Sequence, residues 1–419
     1  MTHIHWLGAG LSSVPGIRRI ASSGNKITVW NRTLSKAEYS INHINSEKVL
    51  AKKYDLDEIK KQLNKGDIVV SQLSANMHPE IAKVCLEKNC HFASTSYISP
   101  NLKELDLEAK KRNLVFINEI GLDPGIDHFF SHLLVSELKQ QNINDCTVSY
   151  YSYCGGIPAV SNDFKYKFSW SPVGVIKALN NKAKFISNFQ EKEVIPYHQV
   201  STYSVNDEDF EAYPNRDSIP YITEYNFDQS WKINNFVRGT LRLNGWTKAW
   251  KEIFLMLENP SSDIEEKIQT KSDELWANNQ YEKDEKDRVV LSVKMEASNN
   301  DGVVWARSYE LDQSGSGENS AMAILVSITL SAGIDLILNN QLNTGVQAAP
   351  SDKENIEYFF KILKDYKINY IHLIFFSKNC TYKFIHCFSV KPFNLTFPSS
   401  TDSQSSNMKS VKSILILDK

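Results

Sequence analysis

The chain opens on an apolar run, residues 3–7, that breaks at Gly8-Ala-Gly10-Leu-Ser-Ser13 and resumes as an amphipathic stretch over about 14–23. A short continuous apolar run predicts a strand covered on both faces, and the spacing after the glycines predicts a helix. The alternation repeats. Strands are expected over 26–30, 67–72, 91–93 and 114–117, and helices around 55–63, 78–88 and 102–112. Strands separated by helices in this way predict a parallel, doubly wound sheet. Residues 118–128, Asn-Glu-Ile-Gly-Leu-Asp-Pro-Gly-Ile-Asp-His, then form a turn in which Gly121 and Gly125 free the backbone and Pro124 suits the opening of a helix over 126–138.

Beyond Asp145 the period changes to longer, aromatic-rich runs. A strand over 146–153 is expected to end at Cys154-Gly155-Gly156, and a helix over 173–179 follows. Residues 213–218 read as a polar turn. Residues 236–242 alternate as a strand, which puts Arg238 and Arg242 on one face. Two strand patterns, 288–297 and 303–311, flank Asn299-Asn-Asp-Gly302, a hairpin signal. The polar stretch 261–287 reads as a partly helical, solvated excursion.

The glycine turn carries candidate chemistry. Between a strand and a helix, Gly8 and Gly10 let a pyrophosphate approach the backbone, and Leu11 and Ser12 lie where the helix start offers free N–H donors. Ser13 takes the third glycine position. The next strand ends in Asn31-Arg32-Thr33, where an acidic residue would grip the ribose of NAD; Arg32 instead offers a planar fork to a 2′-phosphate, so NADP(H) is the expected cofactor. Leu73, Ser74 and residues 94–97 fall on the same carboxyl rim of the sheet. Asp123 is read either as a helix cap or as a proton donor, and in the second role it has to be desolvated or near other carboxylates. His78, before Pro79, reads as structural, and Cys154 as inert packing rather than an activated thiolate.

Composition narrows the class. A net charge of -2 leaves no electrostatic footprint for nucleic acid. The start lacks the features of a signal peptide, and no apolar run is expected to reach bilayer length. Six cysteines without close-paired spacing suggest neither a metal site nor a disulfide framework. A reduced, cytoplasmic enzyme of about two domains acting on small molecules is expected, without nucleic-acid or membrane partners.

From about Ile4 to Leu363 the residues resemble the glutamate-forming saccharopine dehydrogenases, or saccharopine reductases. The likeness is carried by Gly8-Ala-Gly10, residues 95–100 (TSYISP), 118–128, 152–156 (SYCGG), 166–170 (YKFSW), 213–218 (YPNRDS), 238–242 (RGTLR) and the 345–350 turn. The resemblance implies an α/β protein: an NADP-binding Rossmann-type parallel-sheet domain over 1–125, with 318–371 packing back on it, and a mixed-sheet α+β domain over 126–317 for substrate and dimerisation. It further implies a homodimer and reversible, NADPH-dependent condensation of 2-aminoadipate 6-semialdehyde with glutamate to saccharopine, in lysine metabolism. By the same analogy Ser96, Tyr97, Arg216, Arg238, Thr240, Leu241 and Arg242 surround the substrate, Asp123 and Tyr97 handle the proton, and Leu122, Asp123 and Trp170 meet the cofactor. Independently of family, a ligand with three carboxylates needs cationic partners, and the arginines supply them. The chain lacks the long helical insertion of fungal members before residue 288, and the resemblance fades beyond about Lys367, leaving 372–419 as an unassigned tail. Two alternatives stand beside this reading: a carboxynorspermidine dehydrogenase condensing a diamine with aspartate semialdehyde, and a non-catalytic NADP-responsive regulatory protein.

Overall fold

The computed structural model describes residues 2–143, 145–375 and 384–387, the last four as backbone. The first part alternates as β1 (His3–Leu7), α1 (Val14–Ser22), β2 (Lys26–Asn31), α2 (Leu34–Ile41), β3 (Val49–Lys53), α3 (Leu56–Gln62), β4 (Ile68–Ser71), α4 (His78–Lys88), β5 (His91–Ser94), α5 (Pro100–Lys103), α6 (Asp106–Lys111) and β6 (Val115–Ile117). After α7 (Ile126–Gln140) come β7 (Thr147–Pro158), α8 (Pro172–Asn180), β8 (Ala183–Ser187), β9 (Gln190–Val194), β10 (Ser201–Val205), β11 (Glu208–Pro214), α9 (Pro220–Glu224) and β12 (Lys232–Leu243). The remainder is α10 (Trp246–Ala249), α11 (Lys251–Glu258), α12 (Ile264–Asn279), β13 (Lys286–Asn299), β14 (Gly302–Ser316), α13 (Ala321–Leu338), β15 (Gly345–Gln347), α14 (Lys353–Asp365), β16 (Ile371–Phe375) and β17 (Phe384–Cys387).

Two sheets result. The first has the order β15-β6-β5-β4-β1-β2-β3 and every described pairing in it is parallel. The second runs β10-β11-β12-β7-β13-β14-β16-β17, with β8 and β9 beside β12, and is antiparallel except where β12 meets β7. Apolar residues of both sheets join one core through α7 and α13. The segment after the long hairpin returns to the first sheet: β15 pairs with β6, and α13 packs on α1. That approach depends on Gly16, where a Cβ would lie 2.3 Å from the Ser327 carbonyl oxygen.

Several expectations need correction. α2 and β3 add to the elements expected from the pattern; β3 is a half-exposed edge strand without a clean apolar run. The helix expected over 102–112 breaks after Lys103; Asp106, at the start of α6, instead accepts the backbone N–H of Val346 at 2.9 Å. β7 does not stop at the glycines but continues to Pro158, pairing with β13, and a side chain at Gly155 would strike the Leu241 carbonyl at 2.6 Å. The polar stretch 261–287 holds α12, which buries Ile268 and Leu275 in a cluster shared with α8 and is therefore more than a solvated excursion. The tail expected from 372 begins inside a strand, β16, paired between β14 and β17; residues 376–383 and 388–419 lie outside the described residues. An apolar run of bilayer length also exists after all. α13 is long and apolar enough to cross a membrane, yet most of it is buried against strands of both sheets, as a core helix is.

Candidate active site

The turn after β6 is tied to neighbouring strand ends. Ser94 Oγ donates to Asn118 Oδ1 at 2.8 Å, and the Asn118 N–H reaches the Gln347 carbonyl at 2.9 Å, so β5, β6 and β15 are joined there. Gly125 is indispensable: at φ 145°, a Cβ would lie 2.2 Å from the Gly121 carbonyl oxygen. Asp127 accepts the Gly125 N–H at 2.7 Å and so holds the turn at the start of α7. Asp123 therefore does not cap this helix. Its carboxylate faces a cavity instead.

Behind Asp123 lies a buried charge network. Tyr97 Oη donates to Asp123 Oδ1 at 3.0 Å, and Arg238 Nη2 lies 3.2 Å from the same oxygen and 2.6 Å from Asp127 Oδ2. Burial, then the Asp127 charge, pushes the Asp123 carboxyl up to about 6, while Arg238 opposes. Burial also acts on Asp127, but His128 and Arg238 outweigh it and hold that carboxyl below its ordinary value. Burial drives the Tyr97 phenol well above its ordinary value, so Tyr97 orients Asp123 rather than ionising.

The cavity, about 600 Å³, is lined by Ser96, Tyr97, Asp123, Cys154, Trp170, Arg216, Thr240 and Arg242, among others. Arg242 is the informative member. It is 7% exposed, lies against the rings of Tyr166, Tyr213 and Trp246, and donates to the Leu241 carbonyl. Its cross-strand neighbour Glu211 is spent on the N–H groups of Gly245 and Thr247. Among the described residues no carboxylate is within ion-pair distance of Arg242 or of Arg216, whose guanidinium stands 4.6 Å from the Tyr97 ring centre. A buried cation without a carboxylate costs several kcal/mol unless an anion binds, so this cavity is built for one. A second cleft, about 630 Å³, lies across Tyr97 and Arg216 but lacks Asp123 and the glycine turn.

Along the parallel-sheet rim Gly8, at φ 100°, turns tightly against Gln72, whereas a Cβ on Gly10 would meet nothing within 4 Å. Space is thus left where a pyrophosphate needs to approach. Asn31 accepts the Ala9 N–H at 3.0 Å and holds the glycine turn to the end of β2. Arg32 and Thr33 are exposed beside it. Leu11 and Ser74 are also exposed, Ser12 lines the cavity, and Leu73 approaches Gly8. These residues fit a 2′-phosphorylated dinucleotide, with Arg32 free to meet the phosphate. His3, His5 and Asp67, at the opposite edge, form the only described group close enough to share a cation. Trp30 donates to His5 Nδ1 at 3.3 Å, leaving the His5 proton on Nε2, 3.7 Å from Asp67.

Two profiles together span most of the chain: "Saccharopine dehydrogenase NADP binding domain" matches residues 4–117, and "Saccharopine dehydrogenase C-terminal domain" matches 121–368. The chain belongs to the saccharopine dehydrogenase family. Among its curated relatives, saccharopine dehydrogenase [NADP(+), L-glutamate-forming] of Pyricularia oryzae is 29% identical over 86% of this chain and 96% of its own length. The enzyme of the same name from Schizosaccharomyces pombe is 35% identical over 59% of this chain and 56% of its own. Apo saccharopine dehydrogenase (L-Glu forming) from Saccharomyces cerevisiae superimposes with a TM-score of 0.75 at 26% identity, covering 89% of this chain and 100% of that one. A homospermidine synthase from Legionella pneumophila shares the fold, at a TM-score of 0.58 and 13% identity over 88% of this chain and 91% of that one.

Within this saccharopine dehydrogenase fold, Ser96, Tyr97, Asp123, Trp170, Arg216, Thr240 and Arg242 converge on one cavity, with Leu122 at its wall. Two expected substrate contacts do not. Leu241 alternates to the other face of β12 and is fully buried among Tyr153, Phe185 and Val237. Arg238, only 4% exposed, is committed to Asp123, Asp127 and Tyr97, so it serves the aspartates rather than a ligand. The residues without an assigned role are Glu119, Asp127, His128, Tyr221 and Tyr225. Glu119 Oε2 accepts from His128 Nε2 at 2.8 Å, and Nδ1 of the same ring meets Tyr225 Oη at 2.8 Å. The signal was present in the sequence, since an acid and a histidine, Asp127 and His128, stand side by side where α7 opens, directly after the turn.

Proposed function

We propose that the chain is an NADP(H)-dependent saccharopine dehydrogenase of the glutamate-forming type, reductively condensing 2-aminoadipate 6-semialdehyde with glutamate and running in reverse as well. The reading rests on one observation above the rest: a carboxyl group raised to about 6, well above the ordinary carboxylate range, shares a cavity with two guanidinium groups that lack carboxylate partners. Arg242 and Arg216 would take substrate carboxylates, and their planar forks favour bidentate pairing. The glutamate amine adds to the aldehyde carbon; the hydroxyl of the resulting carbinolamine leaves as water with a proton from Asp123, giving an iminium ion. Tyr97 holds Asp123 at the cavity wall by donating to Oδ1. The nicotinamide ring, when bound, supplies the hydride that converts the iminium carbon to the secondary amine. Trp170, a partly exposed ring in the cavity lining, would meet the nicotinamide.

The protein is further proposed to work in the cytoplasm as a homodimer. The described cysteines, Cys85, Cys90, Cys146 and Cys154, are buried free thiols, which supports a reducing compartment. Mixing the protein with NADPH, glutamate and the semialdehyde tests the main reading. Cofactor oxidation there, and none with a diamine and aspartate semialdehyde, is expected. Oxidation only with the diamine, or binding of NADPH without turnover in either mixture, would overturn it.

A further inference from the structure

The buried network holds three carboxylates, Glu119, Asp123 and Asp127, against two cationic side chains, Arg238 and His128. Fully ionised it carries one negative charge too many for a site this dry, and one proton on a carboxyl makes it neutral. The three acids are not equivalent hosts. Glu119 has its charge met by His128 Nε2 at 2.8 Å, by the Ile98 N–H at 2.8 Å and by Tyr221 Oη at 3.2 Å. Asp127 receives the Gly125 N–H at 2.7 Å and the shorter Arg238 contact, with His128 Nδ1 3.7 Å away. Asp123 receives the longer Arg238 contact and the Tyr97 hydroxyl.

We propose that His128, with Glu119 behind it, is a positioning residue that keeps Asp127 ionised and thereby directs the shared proton onto Asp123, the carboxyl that faces the cavity. This rests on the reading of Asp123 as the proton donor. The surroundings leave His128 as the controlling charge. Burial opposes its protonation, but Asp127 and Glu119 outweigh it and raise its affinity. On its own helix, His132 is pushed down to about 3, by burial and by His128, and stays neutral. Tyr221 of α9 stacks on the imidazole with centroids 5.4 Å apart and Tyr225, just past that helix, meets Nδ1, and burial keeps both phenols protonated. Tyr150 of β7 and Cys154 are likewise driven upward by burial, and Arg238 carries the other fixed charge.

The test needs a readout that a merely structural His128 would not move. An infrared difference titration follows the carboxylic-acid band that Asp123→Asn removes, independently of turnover, and the pH profile of kcat/KM follows the same proton in the assay. In His128→Asn the titration midpoint is expected about one unit higher, since an opposite charge near a carboxylate is worth roughly that much or more. Asp127 then competes for the proton, so D123N in the His128→Asn background leaves part of the band in place. His128→Gln, which removes the same positive charge but keeps an amide donor toward Glu119, moves the midpoint the same way and decides the matter where His128→Asn does not fold. Unchanged midpoints in both variants, or complete loss of the band on D123N in the His128→Asn background, would overturn the proposal. A wild type inactive with glutamate and the semialdehyde but titrating as described would overturn the reaction assignment and leave the proton placement standing.

Discussion

Asp123 and Asp127 are bridged by a single nitrogen, Arg238 Nη2, at 3.2 and 2.6 Å. One guanidinium corner thus fixes the distance between a carboxyl that holds a proton and one that does not. Removing one partner of such a buried set leaves an uncompensated charge, which costs about 3–5 kcal/mol. Arg238→Met should therefore lose about that much stability in urea denaturation, together with turnover. A loss below about 1 kcal/mol would show that the aspartates do not depend on it.

Arg242 behaves oppositely because its counter-charge is not in the protein. Arg242→Met removes a buried cation held by an aromatic cage and one backbone carbonyl, with no carboxylate beside it, so unfolding stability should stay level or rise. Substrate binding should suffer by about 2 kcal/mol, or roughly 30-fold in KM for the carboxylate-bearing substrate. KM for NADPH should not move. A Met variant that unfolds readily while keeping its KM values would mean that Arg242 is structural.

Gly10 in the turn and Gly16 in α1 separate two roles by what surrounds each Cα. At Gly16 a methyl group would collide with α13, so Gly16→Ala should cost about 1–3 kcal/mol of stability. At Gly10 it would meet only open space, so Gly10→Ala should melt like the wild type yet bind NADPH about tenfold less tightly, about 1.4 kcal/mol. Arg32→Ala should narrow the preference for NADPH over NADH by about one to two orders of magnitude, in keeping with a lost charge-assisted pair. Isothermal titration with both cofactors reads each effect.

The order of elements in the first sheet was legible because apolar runs alternate with amphipathic ones and strands buried on both faces tolerate few polar residues. β3 escaped because an edge strand keeps polar side chains. The site was legible where backbone geometry dictates residue type, as at Gly8 and Gly125, and where β12 alternation set Arg238 and Arg242 on one face. What that alternation does not encode is the partner each side chain meets. Arg238 turns to acids from a segment more than a hundred residues earlier, whereas Arg242, four residues on, lies among aromatic rings with no carboxylate beside it. The Glu119–His128 contact is equally invisible to periodicity, since it depends on a left-handed residue, Glu119 at φ 58°, folding the turn back over the helix start.

The raised Asp123 carboxyl also links catalysis to stability with a definite sign. Its folded-state value, about 6, lies above the ordinary carboxylate value of 3.8, so between these limits the folded protein holds more protons than the unfolded chain at this position. Stability contributed by the group is therefore present at low pH and lost as pH rises through about 6. Asp127, Glu119 and Glu137 are depressed and change in the other sense as pH falls, which masks the effect in the wild type alone. The difference between Asp123→Asn and wild type isolates it. Whatever constant offset the amide introduces, the variant should gain on the wild type by roughly 1–3 kcal/mol from pH 4 to pH 7 and no further above that. Over the same interval kcat/KM of the wild type for reductive condensation should fall as the donor loses its proton, and Asp123→Asn should show no such limb on its residual rate. A stability difference that stays flat, or that runs downward with pH, would mean that Asp123 is ionised throughout and that the proton for water loss comes from elsewhere.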